Sequence, residues 1–558
     1  MKSSLEIAQE AELRPIQEIA AAAGLEDAEV EPYGRYKAKI RLSVLDRLKD
    51  KPDGKIICVT AITPTKAGEG KTTTSVSLTQ GMGAIGEQAL LCIREASLGP
   101  VFGIKGGAAG AGYAQVVPME DLNLHFTGDF HAIAAANNML AAFVDRHIFY
   151  GNDLKIDPFR VSWRRAVDMN DRNLRNIITG LGGATHGIPR ETGFDIVAAS
   201  EVMAIMGMAT SLQDLRKRIG SITVAYDVEG APITAEQMGC AGAMTVLLKD
   251  ALKPNLIQTL EGQPCFMHIG PFGNIAHGNS SVVADLAGRK LGDYLVTEAG
   301  FGSDLGMEKF MDIVCRAGGF GPNAVVIVAT AKALKHHAGL EDDPRNSAAD
   351  NLRAIEEGSA NLARHILNAK EFGVPCVVAA NRFPGDTDEE VALVQKLALD
   401  HGAHAAVLNE GFSKGGAGAA EMAEAVADAC DQPNTFNFMY EDSDPIDVKI
   451  EKIAKRIYRA DGVDFLPAAQ QKVEQFTRDG LTGLSICMAK THLSLSADPA
   501  LANAPTGFRI PVRDIRPYTG AGFLTALCGD IMQMPGLGKT PAGFNVDIDE
   551  DGKTVGLF

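Results

Sequence analysis

Short apolar runs alternate with longer stretches in which apolar residues recur every three or four positions. The short runs are predicted strands, because they are brief and are bounded by glycine, proline or polar turn residues. They cover residues 56–59, 88–93, 324–329, 375–380 and 405–408. The spacing of Leu352, Ile355, Leu362 and Ile366 predicts a helix between two of these runs. Strands that alternate with helices indicate the α/β class with a largely parallel sheet.

A glycine-rich loop follows the first predicted strand. From Thr60 to Thr74 the chain reads Thr-Ala-Ile-Thr-Pro-Thr-Lys-Ala-Gly-Glu-Gly-Lys-Thr-Thr-Thr, and the spacing of Leu78, Met82 and Ile85 predicts a helix directly after it. A strand, a glycine loop, Lys-Thr and a helix together form a phosphate cradle of backbone N–H groups. The predicted ATP-binding residues are Thr65, Lys66, Ala67, Gly68, Glu69, Gly70, Lys71 and Thr72.

Two residues of this loop have specific predicted roles. Lys71 would reach the outer phosphates, and the hydroxyl of Thr72 would hold Mg²⁺. The pattern is not complete, since Thr65 stands where such loops have glycine, and a plain turn without a ligand remains the alternative. Lys66 could act across a dimer, as in some ATPases, or simply face solvent. The predicted architecture is a P-loop-type nucleoside triphosphate fold with a largely parallel sheet, plus smaller α/β domains.

Two similar strings elsewhere do not predict nucleotide sites. Gly538-Lys-Thr540 has no strand before it and is followed by Pro541, which blocks helix growth, so we interpret it as an ordinary loop. The string Gly81-Met-Gly-Ala-Ile-Gly86 ends a predicted helix instead of opening one, which argues against a dinucleotide fingerprint.

Arg94 follows the second predicted strand. Ligands of parallel α/β sheets collect at the carboxyl ends of the strands, so Arg94 is placed to bind a phosphate or carboxylate. The alternative is a structural ion pair, for example with Glu95. Further along, His125, Asp129 and His131 lie close in sequence, but without further ligands a hydrogen-bonding role is favoured over a metal site.

Composition narrows the class of protein. The 558 residues carry a net charge of −17, which argues against nucleic acid or an anionic membrane as a partner. No apolar run is long enough to span a bilayer, and the first forty residues lack the apolar core of a signal peptide. The nine cysteines are scattered and form no CxxC pair, which predicts reduced, buried thiols and a cytoplasmic location.

The length predicts about three domains. We place a large P-loop domain at residues 1–365, a second α/β domain at 366–495 and a small C-terminal domain at 496–558. The boundaries follow acidic or proline-containing stretches.

Motifs along the whole chain are similar to those of one family. They include Arg94-Glu95 with Ser97-Leu-Gly-Pro100, the glycine run from Gly103 to Gly110, Pro118-Met-Glu-Asp121, Asn274 to Ser281, Thr297 to Gly302 and Gly529-Asp-Ile-Met532. Together with the glycine loop, they resemble formate-tetrahydrofolate ligase in its monofunctional form. The chain has departures, such as Ala96 in place of proline and Phe412 where the family commonly has tryptophan.

The resemblance implies a reaction. Formate would be joined to tetrahydrofolate at N10 with ATP, giving 10-formyltetrahydrofolate, ADP and phosphate. Formate is a stabilised anion with a poor leaving group, so the family first transfers the γ-phosphoryl group to it and forms formyl phosphate. Lys71 and Arg94 would be the catalytic residues, with Arg94 holding the formyl phosphate.

The resemblance also implies the remaining partners. Phe383 and Phe412, both in the second predicted domain, would sandwich the pterin of the folate. The family further implies a homotetramer and a monovalent cation, K⁺ or NH₄⁺, besides Mg²⁺. Two alternatives remain at this stage: a P-loop switch ATPase that acts on a protein partner, and a binding protein that has lost catalysis.

Overall fold

A computed structural model of the chain describes residues 2–65, 68–104, 107–341, 343 and 345–557. Its largest feature is a twelve-stranded sheet. Ten strands form a continuous path in the spatial order Val30–Pro32, Ala38–Ile40, Asn255–Thr259, Pro264–Met267, Ala89–Ile93, Tyr294–Glu298, Lys55–Ala61, Ala324–Ala329, Cys376–Asn381 and Ala405–Asn409. From Pro264–Met267 onward, every neighbouring pair on this path is parallel.

The parallel strands are buried on both faces. In Lys55–Ala61 every residue after Lys55 is buried, and in Ala324–Ala329 all are. Successive side chains alternate between two cores, since Ile56 and Cys58 pack into one cluster and Ile57 and Val59 into another. Burying one such aliphatic side chain stabilises the fold by roughly 1.5–3 kcal/mol. This double burial explains why these strands are continuous apolar runs in the sequence.

The other flank of the sheet is antiparallel. Asn255–Thr259 pairs antiparallel with Pro264–Met267 on one side. Its other side is shared by Ala38–Ile40, opposite its first residues, and by Ala114–Val117, opposite its last. The short strand Gly110–Ala111 then pairs with Ala114–Val117. A strand before the glycine loop in the sequence and a strand after it therefore both pair with Asn255–Thr259.

Helices cover the two faces of the sheet and build the outer parts of the chain. The α-helices are Ser4–Glu10, Ile16–Ala22, Ser43–Arg47, Lys71–Ala84, Leu98–Gly103, Met119–Asn123, Asp129–Phe149, Glu201–Met208, Leu212–Gly220, Ala241–Leu248, Val282–Leu291, Arg316–Gly318, Ala331–His337, Ala348–Glu371, Asp388–Asp400, Gly411–Lys414, Ala420–Cys430, Ile446–Arg456 and Pro467–Arg478. Two π-helical segments, Ser303–Met307 and Phe310–Cys315, lie in the buried interior.

Smaller sheets lie outside the main one. Their strands, grouped by sheet, are Ile177–Thr179 with Arg190–Thr192, Arg165–Val167 with Phe194–Ile196, Ile156–Val161 with Thr223–Asp227 and Pro232–Thr234, Gly462–Phe465 with Arg509–Val512, Ser485–Ala489 with Phe523–Leu527 and Asp514–Tyr518, and Asp547–Ile548 with Thr554–Val555. In one of them, Ser485–Ala489 pairs with Phe523–Leu527 across the predicted boundary at 495/496.

The α/β class and the largely parallel sheet predicted from the sequence are confirmed. The predicted strand 324–329 has those bounds, and the predicted helix around Leu352 extends over Ala348–Glu371. The main sheet also continues through Ala405–Asn409, past the predicted boundary at 365/366. The division into three domains stays a prediction.

All nine cysteines are buried thiols, as their apolar neighbours in the sequence predict. Among the residues that the structure describes, no helix combines the length and the apolar character needed to cross a membrane.

Candidate active site

The glycine loop lies at the carboxyl edge of the parallel strands. It connects the strand Lys55–Ala61 to the helix Lys71–Ala84. Gly68 and Gly70 have φ angles of +77° and +78°, a backbone conformation that favours glycine. The loop therefore turns so that the helix begins directly at Lys71, where free N–H groups and the helix dipole favour an anion. Lys66 and Ala67 lie outside the described residues.

Two asparagines at the ends of neighbouring strands form hydrogen bonds to the glycine loop and its helix. Asn381 Nδ2 donates to the carbonyl oxygen of Glu69 (2.8 Å) and contacts Thr74 Oγ1 (2.8 Å). Asn409 Nδ2 donates to Asn381 Oδ1 (2.8 Å), and Ser77 Oγ donates to Asn409 Oδ1 (3.2 Å). We call Asn381 and Asn409 the asparagine clamp, because together they tie the loop and its helix to Cys376–Asn381 and Ala405–Asn409, two neighbouring strands of the sheet.

Glu69 closes the loop on itself. Its Oε1 accepts the N–H of Thr65 (2.7 Å), and the side chain is buried. Burial raises the pKa of Glu69, while this hydrogen bond and the nearby Lys71 oppose the shift. Thr65 stands where such loops have glycine, and its backbone N–H is thus fixed by the carboxylate of Glu69 in the same loop.

Lys71 and Arg94 lie close enough to influence each other's charge. Loss of water around the half-buried Lys71 lowers its pKa, the carboxylates of Glu298 and Glu69 oppose that shift, and the Arg94 guanidinium adds to it. Burial likewise lowers the pKa of Arg94, again opposed by Glu298. The structure therefore brings the two predicted catalytic cations together, with Glu298 as a carboxylate near both.

Arg94 is not paired with Glu95. It donates from Nη1 to the carbonyl oxygen of Pro271 (2.9 Å), and neither it nor Glu95 enters an ion pair with the other among the described residues. Glu95 Oε1 instead accepts Asn255 Nδ2 (3.0 Å) and the N–H of Ile269 (3.0 Å). Among the described residues, the Arg94 side chain therefore makes one hydrogen bond, to the Pro271 carbonyl.

Asp129 belongs to a buried network behind this site. Lys39 Nζ lies 2.8 Å from its Oδ1, and both side chains are 1% exposed. Asn255 Nδ2 donates to both Asp129 (2.8 Å) and Glu95 (3.0 Å). Burial and the Asp129 carboxylate raise the pKa of Glu95, whereas Lys39 holds the pKa of Asp129 low against the effect of its burial. The hydrogen-bonding role predicted for Asp129 fits this geometry.

The neighbouring histidines do not join Asp129. His125 and His131 are exposed while Asp129 is buried. Within the described part of the chain, no group of three or more His, Cys, Asp or Glu side chains is arranged to hold a metal ion.

A cavity of about 190 Å³ connects the loop to Arg94. Thr72, Arg94 and Glu298 all line it, and Ser97 and Gly107 of the following segments line its other side. Because the strands that carry these residues are neighbours in the parallel block, their carboxyl ends converge on this one space. The oxygen of Thr72 and the carboxylate of Glu298 are donors of the kind that Mg²⁺ prefers.

Phe383 and Phe412 follow the two strands that carry the asparagine clamp. Asn381 and Asn409 are opposite each other in the sheet, and the aromatic residues come two and three positions later. Phe383 is half-buried, and Phe412 is 39% exposed on the short helix Gly411–Lys414. The carbonyl oxygen of Phe412 accepts the N–H of Tyr113 (2.9 Å), which attaches this helix to the glycine run.

Three residues of the site have no role in the sequence analysis: Asn381, Asn409 and Glu298. Each is the last residue of its strand, at the edge where ligands of parallel sheets bind. A polar residue that closes an apolar run was therefore an available signal for all three. Glu298 also lies within the segment Thr297 to Gly302 that resembles the family.

Comparison with known proteins identifies the family. A family model described as "Formate--tetrahydrofolate ligase" matches residues 2–558. Proteins of that name from Desulforamulus reducens, Cutibacterium acnes and Symbiobacterium thermophilum are 56%, 53% and 52% identical to the chain. The alignments cover all of this chain and 99%, 100% and 100% of the three relatives. The chain therefore belongs to the formate-tetrahydrofolate ligase family.

Proposed function

We propose that the protein joins formate to N10 of tetrahydrofolate and consumes ATP, with formyl phosphate as the intermediate. The observation that carries this proposal is the shared cavity, because Thr72 of the glycine loop and Arg94 both line it. A phosphoryl donor and a small anionic acceptor can meet there. The family and the full-length relatives support the same reaction, and none of them supports the switch ATPase.

Phosphoryl transfer needs positioning and charge neutralisation more than covalent help from the protein. In this proposal the helix N-terminus and Lys71 bind the phosphates in a P-loop-type site. The free part of the Arg94 fork binds formate, and then the acyl phosphate. Mg²⁺ bound with ATP would neutralise charge on the phosphates, with the Thr72 hydroxyl among its ligands. The amine of the folate then displaces phosphate from the formyl carbon.

The pterin site that we propose lies between Phe383 and Phe412. The evidence for this site is the position of the two residues, since both follow neighbouring strands at the sheet edge that carries the glycine loop. Two aromatic faces can stack on a flat heterocycle, and one of them is partly exposed for this purpose. Because the asparagine clamp precedes both residues, the folate and the phosphates would be held by the same two strands.

Four further properties are part of the proposal. We expect a homotetramer, a requirement for K⁺ or NH₄⁺, a cytoplasmic location and no nucleic-acid partner. Exposed apolar side chains on one hairpin are consistent with subunit contacts, and these are Ile178, Leu181 and Ile188. Sedimentation of the purified protein would measure the number of subunits directly.

The deciding experiment measures ADP release from Mg-ATP by the purified protein. Formate and tetrahydrofolate are added separately and together, and 10-formyltetrahydrofolate is followed by absorbance after conversion in acid. We expect fast ADP release only when both substrates are present, in step with the folate product. ATP turnover without formate or folate would overturn the proposal and favour an ATPase.

A further inference from the structure

Glu298 is the last residue of a central strand. The strand Tyr294–Glu298 lies between the strand that leads into the glycine loop and the strand Ala89–Ile93 that leads to Arg94. In this register Glu298 is opposite Val59, near the end of the loop's own strand. Its position thus places a carboxylate between the phosphate loop and the predicted formate-binding arginine.

The side chain of Glu298 is buried, and one of its carboxylate oxygens lacks a hydrogen-bond partner in the described part of the chain. It is 7% exposed, and among the described residues its Oε2 has no hydrogen bond. Neither Lys71 nor Arg94 comes within ion-pair distance of it in the described part of the chain, although both sense its charge. Leaving a buried carboxylate oxygen without a partner is costly, so this arrangement indicates a ligand that the protein alone does not supply.

Glu298 lines a cavity that has room for such a ligand. Thr72 lines the same space, beside the helix N-terminus where the phosphates of ATP are proposed to lie. Mg²⁺ in nucleotide sites takes one or two carboxylates together with substrate phosphates and water. In P-loop proteins a loop Ser or Thr and an acidic residue on a nearby strand share this ion.

We propose that Glu298 is the acidic residue that holds the Mg²⁺ of Mg-ATP, together with Thr72. This assignment rests on the proposed function, since it requires that the loop binds ATP. The other acidic residue near Lys71 is Glu69, but it accepts the N–H of Thr65 and does not line the cavity. A matched control outside the cavity is Glu201, which is 8% exposed and accepts the N–H of Gly520.

The test measures metal binding without turnover. Adenylyl imidodiphosphate, which is not cleaved between its β and γ phosphates, is bound to the protein, and Mn²⁺ is titrated in place of Mg²⁺ with detection by electron paramagnetic resonance. Glu298→Gln should weaken Mn²⁺ binding to the nucleotide complex by roughly 10- to 100-fold, as expected when a supporting ligand is lost. Glu201→Gln should leave the Mn²⁺ affinity within about twofold of the wild-type value, because Glu201 does not line this cavity.

A second measurement separates metal binding from simple charge balance. If Glu298 only neutralises Lys71 and Arg94, Glu298→Gln would strengthen binding of the metal-free nucleotide and leave the Mn²⁺ affinity unchanged. That pair of results would overturn the proposal. Thr72→Val should also weaken Mn²⁺ binding to the nucleotide complex, because its hydroxyl is the other proposed ligand. The double variant should bind Mn²⁺ more weakly than either single variant.

The proposal and the proposed function fail in different experiments. Wild-type protein that releases ADP without formate or folate refutes the ligase function, whatever Glu298 does. Wild-type protein that behaves as a ligase while Glu298→Gln binds Mn²⁺ normally refutes only the role of Glu298. Circular dichroism of each variant confirms that the chain is folded, and Glu298→Asp, which keeps the charge, should recover part of the Mn²⁺ affinity.

Discussion

The chain contains the tripeptide Gly-Lys-Thr twice, and the two copies differ in everything around them. At Gly70 the backbone turns with φ +78° out of a buried strand and into a helix, and two carboxylates and an arginine influence the pKa of the lysine. At Gly538 no strand or helix begins, and all three residues are exposed. The tripeptide alone therefore does not specify a phosphate site. A phosphate site needs the strand, the left-handed turn and the helix N-terminus that surround it.

The largest contrast should come from removing each lysine. We expect Lys71→Ala to lower kcat/KM for ATP by roughly 10²- to 10³-fold, since it removes a preorganised positive charge from the phosphates. Lys539→Ala should leave kcat/KM unchanged, because Lys539 is exposed in a loop away from any strand end. ADP release with both substrates measures the two variants in parallel. A comparable loss in Lys539→Ala would refute our interpretation of the second tripeptide as an ordinary loop.

A somewhat smaller effect is expected from changing the shape of a cation but not its charge. Arg94→Lys keeps a positive charge at the cavity but loses the planar fork that can bind a carboxylate or an acyl phosphate through two hydrogen bonds. We expect kcat to fall by about 10²-fold while the affinity for ATP changes little. The matched control is Arg513→Lys, since Arg513 is half exposed and pairs with Asp530 on the surface. An Arg94→Lys enzyme with normal kcat would show that only charge is needed there.

The support of the loop can be tested separately from its lysine. Asn381→Ala removes the donor to the Glu69 carbonyl and the acceptor of the Asn409 Nδ2 hydrogen bond. We expect the affinity for the ATP analogue to fall about tenfold and the free energy of unfolding to fall by about 1–3 kcal/mol. Asn434→Ala, which removes a bond to the carbonyl of Pro322 instead, should cost stability without changing nucleotide affinity. Equal affinity losses in both variants would argue against a specific clamp.

The smallest effect concerns pH. Burial lowers the pKa of Lys71, so its ammonium group loses its proton at a lower pH than an ordinary lysine. Phosphate binding needs the charged form, which is present below the pKa and is lost as pH rises through it. We therefore expect kcat/KM for ATP to decline on the alkaline side, and Lys71→Arg to move that decline to higher pH. An alkaline limb that is the same in both enzymes would assign it to another group.

Much of the sheet could be predicted from the sequence, because its strands are buried on both faces. The apolar run 324–329 has no polar residue to interrupt it, and the structure gives the same bounds. The antiparallel flank was not predicted. Its strand Ala38–Ile40 has only three residues, and it includes Lys39, whose burial depends on Asp129 ninety residues away. Local patterns cannot show a charge that is neutralised at such a distance.

The site shows the same limit. The glycine loop could be found because its strand, turn and helix are adjacent in sequence. The asparagine clamp could not be found in this way, since Asn381 lies 312 positions from the Glu69 carbonyl that it binds. The two interpretations of Arg94 were also left open by the sequence. The structure shows only that Glu95 binds Asn255, from another part of the chain, and not Arg94.

The asparagine clamp also has a consequence for how the protein is made. A ribosome releases the chain from its N-terminus, so the glycine loop is synthesised long before the strand that ends at Asn381 and the strand that ends at Asn409. A nascent chain that ends before these two strands contains the loop sequence but lacks the two asparagines that bind it. We therefore expect nucleotide capture to be a late step of biosynthesis, which only chains with the parallel strands complete can carry out.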